Sequence, residues 1–388
     1  MRIRRLLLAA AAAALPATAQ AGAMCRAVIE PAPATVNSCT GGSTVTIAAV
    51  GDVLLHRPLQ RHGYASRNGF RNIWRTAEPF ISRADIAYAN LEGPAAQGVS
   101  RTLQDIRDPG AKLDEVVYTG YPQFNYNPRI VKQLKAAGFD VVSTANNHAM
   151  DRGPLGADRT IAALKSARLS HTGTIAAGAG RSFVTHVDSP AGPVAFIACS
   201  FDTNGLADPS RQVLRCYRDR AELLSIIRQQ ARNPQVAGVI VTPHWGSEYA
   251  TTPDAAQRSL ARDMAAAGAT AILGAHPHVV QRWDWLSGPV GKTLAIYSLG
   301  NFVSGQLDAL NRRSGALAWL ELCRGATGKL AVAQAGWIPV VMYKTAQGPY
   351  LSTAGTQSKW PLDAQARDLF ASVLPTNGTQ LDLICKSR

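Results

Sequence analysis

Val141-Val142-Ser143-Thr144-Ala145-Asn146-Asn147-His148 starts as a β-branched, apolar run and ends in three side chains with lone pairs to offer. Immediately upstream, Pro128 to Ala137 places Pro at a helix start, Ile130, Val131 and Leu134 on one face, and Gly138 as a stop. A helix therefore feeds directly into a strand. The plan recurs. Val45-Thr46-Ile47-Ala48-Ala49-Val50 runs into Gly51-Asp52, and Ile86-Ala87-Tyr88-Ala89 into Asn90-Leu91-Glu92. Val239-Ile240-Val241-Thr242 delivers Pro243-His244, and Ala271-Ile272-Leu273-Gly274-Ala275 delivers His276-Pro277-His278. Runs this short and continuous read as strands buried on both faces. Helical spacing over Asp158 to Ala167, Asp219 to Ala231 and Thr252 to Gly268 fills the intervals. Helix alternating with buried strand predicts an α/β layer architecture.

In such sheets a ligand site collects beyond the carboxyl ends of the strands. A single Asp or Asn after a strand reads as a cap or a turn former. Here, however, four of the eight histidines, His148, His244, His276 and His278, fall at these strand ends. Pro277 stiffens the backbone between two of them. Asp, Glu, Asn and His without thiolate form the donor set of a hard or borderline divalent ion such as Mn²⁺, Fe²⁺ or Zn²⁺.

The 388 residues, 46% hydrophobic and 17% charged, describe a packed globular chain and exclude a disordered, collagenous or coiled-coil one. Arg2, Arg4 and Arg5, the apolar run Leu6 to Leu15 and the small residues Ala17 to Ala21 have the order of a cleaved secretory signal. The expected organisation is a signal over 1–21, an extension over 22–44, one domain over 45–342, and a tail over 343–388 packed on it. No later stretch is apolar enough to span a bilayer, so the expected location is periplasmic or secreted. In an oxidising compartment the six cysteines read as disulfides. Nearness in sequence favours Cys25 with Cys39 and Cys199 with Cys216, leaving Cys323 for Cys385. The formal charge of +14, or +11 without the signal arginines, suits polyanionic partners in the envelope. Nucleic acid fits less well, because no basic run is interleaved with aromatics. Trp283 and Trp285 read either as an apolar lip of the site or as one face of a strand.

Gly51-Asp52, Asn90-Leu91-Glu92, Asn146-Asn147-His148 with Asp151-Arg152-Gly153, His244-Trp245-Gly246-Ser247-Glu248, Gly274-Ala275-His276-Pro277-His278 and Ser298-Leu299-Gly300-Asn301-Phe302 occur in this order. Together they resemble the CapA family of poly-γ-glutamate capsule proteins, a branch of the calcineurin-like metallophosphoesterases, over residues 45 to 305. The resemblance implies a four-layer α/β/β/α sandwich. It implies two divalent ions (Mn, Zn or Fe) held by Asp52, Glu92, Asn147, His244, His276 and His278, with Glu92 bridging. It also implies His148 as proton donor, with Glu248 or Asp151 orienting the ligands; as loop residues, those two carboxylates read equally as salt-bridge formers. The superfamily's usual Asp-x-His is Asp52-Val53-Leu54 here, and the sequence leaves open whether His56 replaces the lost imidazole.

Three functions follow from that resemblance. One is synthesis, export or anchoring of poly-γ-glutamate or a similar anionic polymer, alongside capsule-synthesis membrane proteins. The second is hydrolysis of envelope phosphoesters or phosphoglycans with no capsule role. The third is non-catalytic, metal-assisted binding of polyanions.

Overall fold

Alternation along the strands decides how the layers stack. In strand β2, Ala48 and Val50 enter one core while Val45, Ile47 and Ala49 enter another, the period-2 consequence of a pleated backbone. The computed structural model describes residues 24–30, 36–355, 358–374 and 379–386, with the terminal strands 24–30 and 379–386 described by their backbone. The expected signal segment lies outside the described residues.

The strands are β1 (Met24–Glu30), β2 (Val45–Leu54), β3 (Ile86–Leu91), β4 (Val141–Ser143), β5 (Ser170–Thr172), β6 (Val184–Val187), β7 (Val194–Ser200), β8 (Gly238–His244), β9 (Ala271–Leu273), β10 (Val280–Gly288), β11 (Gly291–Leu299), β12 (Asn301–Ser304), β13 (Ser314–Arg324), β14 (Leu330–Thr345), β15 (Gly348–Thr353) and β16 (Thr379–Lys386). The helices are α1 (Arg57–Ala65), α2 (Arg71–Trp74), α3 (Glu78–Ile81), α4 (Arg129–Ala137), α5 (Gly153–Ser166), α6 (Arg220–Arg232), α7 (Ala255–Ala267) and α8 (Asp363–Val373).

Among the described residues the strands form two sheets. The first runs β1-β16-β14-β13-β2-β3-β4-β5, with β12 beside β2 and β15 beside β14; the second runs β10-β11-β9-β8-β7-β6. Strands β2 to β5 are mutually parallel, as are β7, β8, β9 and β11. Between the sheets lies an apolar layer containing Ile47, Tyr88, Phe196, Ile240, Leu273 and Ile296. Tyr88 of β3 stacks on Phe196 of β7 across it, with ring centroids 6.2 Å apart. Leu59, Trp74, Ile81, Ile130 and Leu134 cover the outer face of the first sheet. Leu223, Ile227, Leu260 and Met264 cover that of the second. This is the expected α/β/β/α sandwich.

Helix ends follow their sequence signals. Helix α4 stops where Gly138 takes the left-handed conformation, φ 106°. Asp254 and Gln257 cap α7 reciprocally, each side chain accepting the other's backbone N–H, at 2.7 and 2.9 Å. Trp283 is buried between the sheets and Trp285 packs beside it, so this pair is a strand face rather than a lip.

Two further expectations need correction or relocation. Cys199 bonds Cys216 as expected, but Cys39 bonds Cys323 across 284 residues. That bond rules out the expected Cys25–Cys39 and Cys323–Cys385 pairings. Its cause is local: Thr40 N–H donates to the Arg324 carbonyl at 2.8 Å, and Asn37 bridges Lys292 and Val332, fixing the segment before β2 beside the end of β13. Cys25 and Cys385 stand opposite each other in the backbone register of β1 and β16. The residues after 343 are woven into the first sheet: β14 continues through the expected boundary to Thr345, and β15 and β16 pair with it.

Peptide mapping of the unreduced, oxidatively expressed protein is expected to yield a Cys39–Cys323 peptide, whereas a Cys25–Cys39 peptide would contradict this register. Loss of that crosslink in Cys323→Ser should lower unfolding free energy by roughly 2–4 kcal/mol, read by denaturant titration.

Candidate metal centre

The carboxyl edges of both parallel sets open onto one point. Asp52 lies near the end of β2, Glu92 follows β3, and Asn147 and His148 follow β4. From the second sheet come His244, the last residue of β8, and His276 and His278 after β9. All of these side chains are buried.

Close backbone approach makes this convergence feasible. The Asp52 amide donates to the Gly300 carbonyl at 3.0 Å, and a Cβ on Gly51 would lie 1.8 Å from that same oxygen. Only glycine fits there. On the opposite side, His276 and His278 both adopt positive φ, 99° and 58°, which costs non-glycine residues roughly 1–3 kcal/mol each. Hydrogen bonds hold that strained turn: Trp245 N–H to Ala275 O at 3.0 Å, Ala275 N–H to Pro243 O at 3.0 Å, and Tyr249 N–H to Pro277 O at 2.7 Å.

Glu92 is the centre of the arrangement. It is 0% exposed, and neither carboxylate oxygen has a hydrogen-bond partner among the described residues. His244 Nε2 and His278 Nε2 stand 3.5 and 3.9 Å from its Oε1, at ion-pair range. Two sets of donor atoms share it: Asp52, Glu92 and His278 form one, and Glu92, His244 and His276 the other, with the atoms of each set within 4.8 Å of one another. Asn147 Oδ1 joins the second set, 2.9 Å from His244 Nε2. His276 Nδ1 is likewise buried and without a partner among the described residues. Buried acceptors left without donors are costly, and the residues fit a divalent cation that would satisfy them.

The surrounding electrostatics agree. Burial opposes the charge of Glu92, yet His278 and His244 hold its carboxyl well below the ordinary range. Burial would keep His278 neutral, but Glu92 and the 3.0 Å bond to Asp52 Oδ2 push it up to about 9. His276 goes the other way: burial, then His244 and His278, hold it well below its ordinary value. A cation bound here would act as counter-charge to the same buried carboxylates.

His148 is built differently. Its Nδ1 lies 2.8 Å from Asp151 Oδ2, and Asp151 also accepts the Phe124 N–H at 2.6 Å. Although burial works against protonation, Asp151 and then Glu92 outweigh it and raise His148. Its ring packs edge-on to Phe124 at 4.8 Å. His148, Asp151, Asn147 and Glu248 line a cavity of about 360 Å³ together with Tyr121, Gln123 and Asn204. Among the described residues no Lys or Arg lines it.

His56 joins neither donor set. Its Nδ1 accepts the Gly305 N–H at 3.1 Å, and burial lowers it to about 4. The expected ligands Asp52, Glu92, Asn147, His244, His276 and His278 are therefore brought together, with His148 beside them. Asn90 stands in the strand-end pattern, but its contacts, and several other residues of the site, are not evident from the sequence. Asn90 Nδ2 donates to Asp52 Oδ1 at 2.7 Å and lies 3.2 Å from His244 Nδ1, tying the sheets together. Asn204 Oδ1 accepts from Asn147 at 3.1 Å, and Phe201 packs on His276 at 4.4 Å. Tyr126 donates to the Glu92 carbonyl at 2.5 Å. Asn204-Gly205 reads as an ordinary turn in sequence, and nothing local marks Phe201 or Tyr126.

The fold and the site thus define an α/β/β/α protein with a strand-end cluster of carboxylate, imidazole and amide donors able to hold a metal. The chain belongs to the bacterial capsule synthesis protein PGA_cap family, whose model matches residues 46–306, within the metallophosphoesterase superfamily. It is 29% identical over 272 residues to the capsule biosynthesis protein CapA of Bacillus anthracis, covering 68% of this chain and 60% of that protein. It is 28% identical over 291 residues to the PGA biosynthesis protein CapA of Bacillus subtilis, covering 73% and 69%. The chain therefore spans only about two thirds of these relatives. A hypothetical protein from Thermus thermophilus aligns at TM-score 0.41 and 17% identity over 79% of this chain and 98% of its own, a likeness too distant to carry a statement.

Gly51→Ala is expected to cost about 1–3 kcal/mol of stability, because its methyl must displace the Gly300 carbonyl that receives the Asp52 amide. Unfolding titration checks this; an unchanged midpoint would mean that β2 and β12 do not approach as described.

Proposed function

We propose that this chain works in capsule-type polymer biosynthesis outside the cytoplasm, as a metal-dependent hydrolase acting on an anionic polymer such as poly-γ-glutamate or a phosphoglycan. The observation that carries this reading is Glu92, a buried carboxylate whose oxygens have no hydrogen-bond partner among the described residues, at the junction of two donor sets. Family membership supports the biological setting; the Cys39–Cys323 and Cys199–Cys216 disulfides suit an oxidising compartment, and no helix among the described residues is long and apolar enough to cross a membrane.

Two divalent ions at this centre would supply Lewis-acid polarisation of a phosphoryl or carbonyl oxygen and an acidified water. In that scheme Asp52, Glu92 and His278 hold one, and Glu92, Asn147, His244 and His276 the other. His148 has its Nδ1 tied to Asp151, so its remaining nitrogen is available to the cavity as a proton donor to a leaving oxygen. This dyad favours turnover over passive binding, because a docking site has no need of an imidazole oriented by a carboxylate. With no Lys or Arg among the described residues lining the cavity, attraction of a polyanion would fall to the ions and His148.

Elemental analysis of protein reloaded with Mn²⁺ or Zn²⁺, with hydrolysis assays on phosphoesters and on poly-γ-glutamate, tests the reading. Wild type should bind two ions and Glu92→Gln one or fewer. His148→Ala should keep its ions and lose about 10²- to 10⁴-fold in turnover. Wild type without a bound divalent ion would overturn the proposal, and so would Glu92→Gln with undiminished content.

A further inference from the structure

Among the described side chains facing the cavity, Glu248 is the one acid exposed to solvent rather than buried. It has a second environment. A Glu248 carboxylate oxygen, a His276 ring nitrogen and a His278 ring nitrogen all lie within 4.8 Å of one another, although the two rings belong to different donor sets. Glu248 therefore reaches one imidazole of each set from a solvent-exposed position.

Its backbone is not free to wander. Tyr249 N–H bonds Pro277 O at 2.7 Å, and Gln281 Nε2 bonds Ala250 O at 2.8 Å. The Tyr249 hydroxyl accepts from Gln306 at 3.1 Å, and Arg312 covers the ring at 4.5 Å. The Glu248 carboxylate is thus presented from a loop bonded to the His276-Pro277-His278 turn. Left as a bare charge, it would repel anionic ligands from a cavity with no lysine or arginine among the described residues to compensate. As a donor, its charge would be neutralised by cations.

Resting on the metal-centre reading above, we propose that Glu248 is an outer ligand that closes the solvent side of the centre.

The test is Mn²⁺ binding to the whole protein, followed by calorimetry and by water-proton relaxation, in wild type, Glu248→Gln, Glu248→Ala and Glu248→Asp. Glu248→Gln and Glu248→Ala are expected to weaken Mn²⁺ binding about tenfold to a hundredfold and to raise relaxation as water replaces the lost donor. Glu248→Asp keeps the charge but shortens the reach, and it should weaken binding as well. Unchanged affinity in Glu248→Gln overturns the proposal, with the centre itself intact. Wild-type affinity in Glu248→Asp, alongside loss in Glu248→Gln, overturns it in favour of a simple field effect. Wild type that binds no Mn²⁺ removes the metal-centre reading, and this inference with it. Because the side chain is exposed, the variants should match wild type in circular dichroism and melting.

Discussion

A carboxylate sealed from water with no hydrogen bond to either oxygen is among the least tolerable groups a protein can bury, and among the described residues Glu92 has no such partner. The surrounding arrangement follows from relieving it. Two imidazoles from the second sheet stand 3.5 and 3.9 Å from its oxygen, and one of them, His278, is anchored by Asp52 from the first sheet. Because the donors come from both sheets, the sandwich must keep its two carboxyl edges in register. The apolar layer containing Tyr88 and Phe196 provides the non-directional attraction for that, and Asn90 provides the directional part by reaching from Asp52 to His244.

Local costs are concentrated at the same place. The left-handed His276 and His278 are unfavourable alone and persist because neighbouring backbone bonds over-determine them. Gly51 gives up strand propensity so that β2 can touch the Gly300 carbonyl. Strain, tight backbone contact and buried acceptors without partners among the described residues thus coincide in the cluster that could hold a cation. They would be hard to retain in a purely structural core.

Much of this was legible in the sequence because it rests on local patterns. The buried runs ending in Asp52, Glu92, Asn147, His244 and His276 identify both the strands and their functional ends, since a parallel α/β sheet leaves those ends as the natural site. Helix stops such as Gly138 are equally local. What escaped depends on long-range register. Cys39 meets Cys323 because the segment before β2 is pinned beside β13, a relation that nearness in sequence misjudges. The strands after 343 join a sheet edge set elsewhere in the chain. Asn204 and Phe201 matter through the side chains they touch across a loop, and their own residue types give no sign of it.

The proposed centre has Glu92 shared between two cations. Anomalous diffraction from crystals of the wild-type protein equilibrated with Mn²⁺ tests it most directly. Two peaks about 3.5–4 Å apart are expected on either side of the Glu92 carboxylate, one beside Asp52 and His278 and the other beside His244 and His276. The contradicting result is a map with no peak within coordination distance of Glu92, with the carboxylate instead hydrogen-bonded to protein or water.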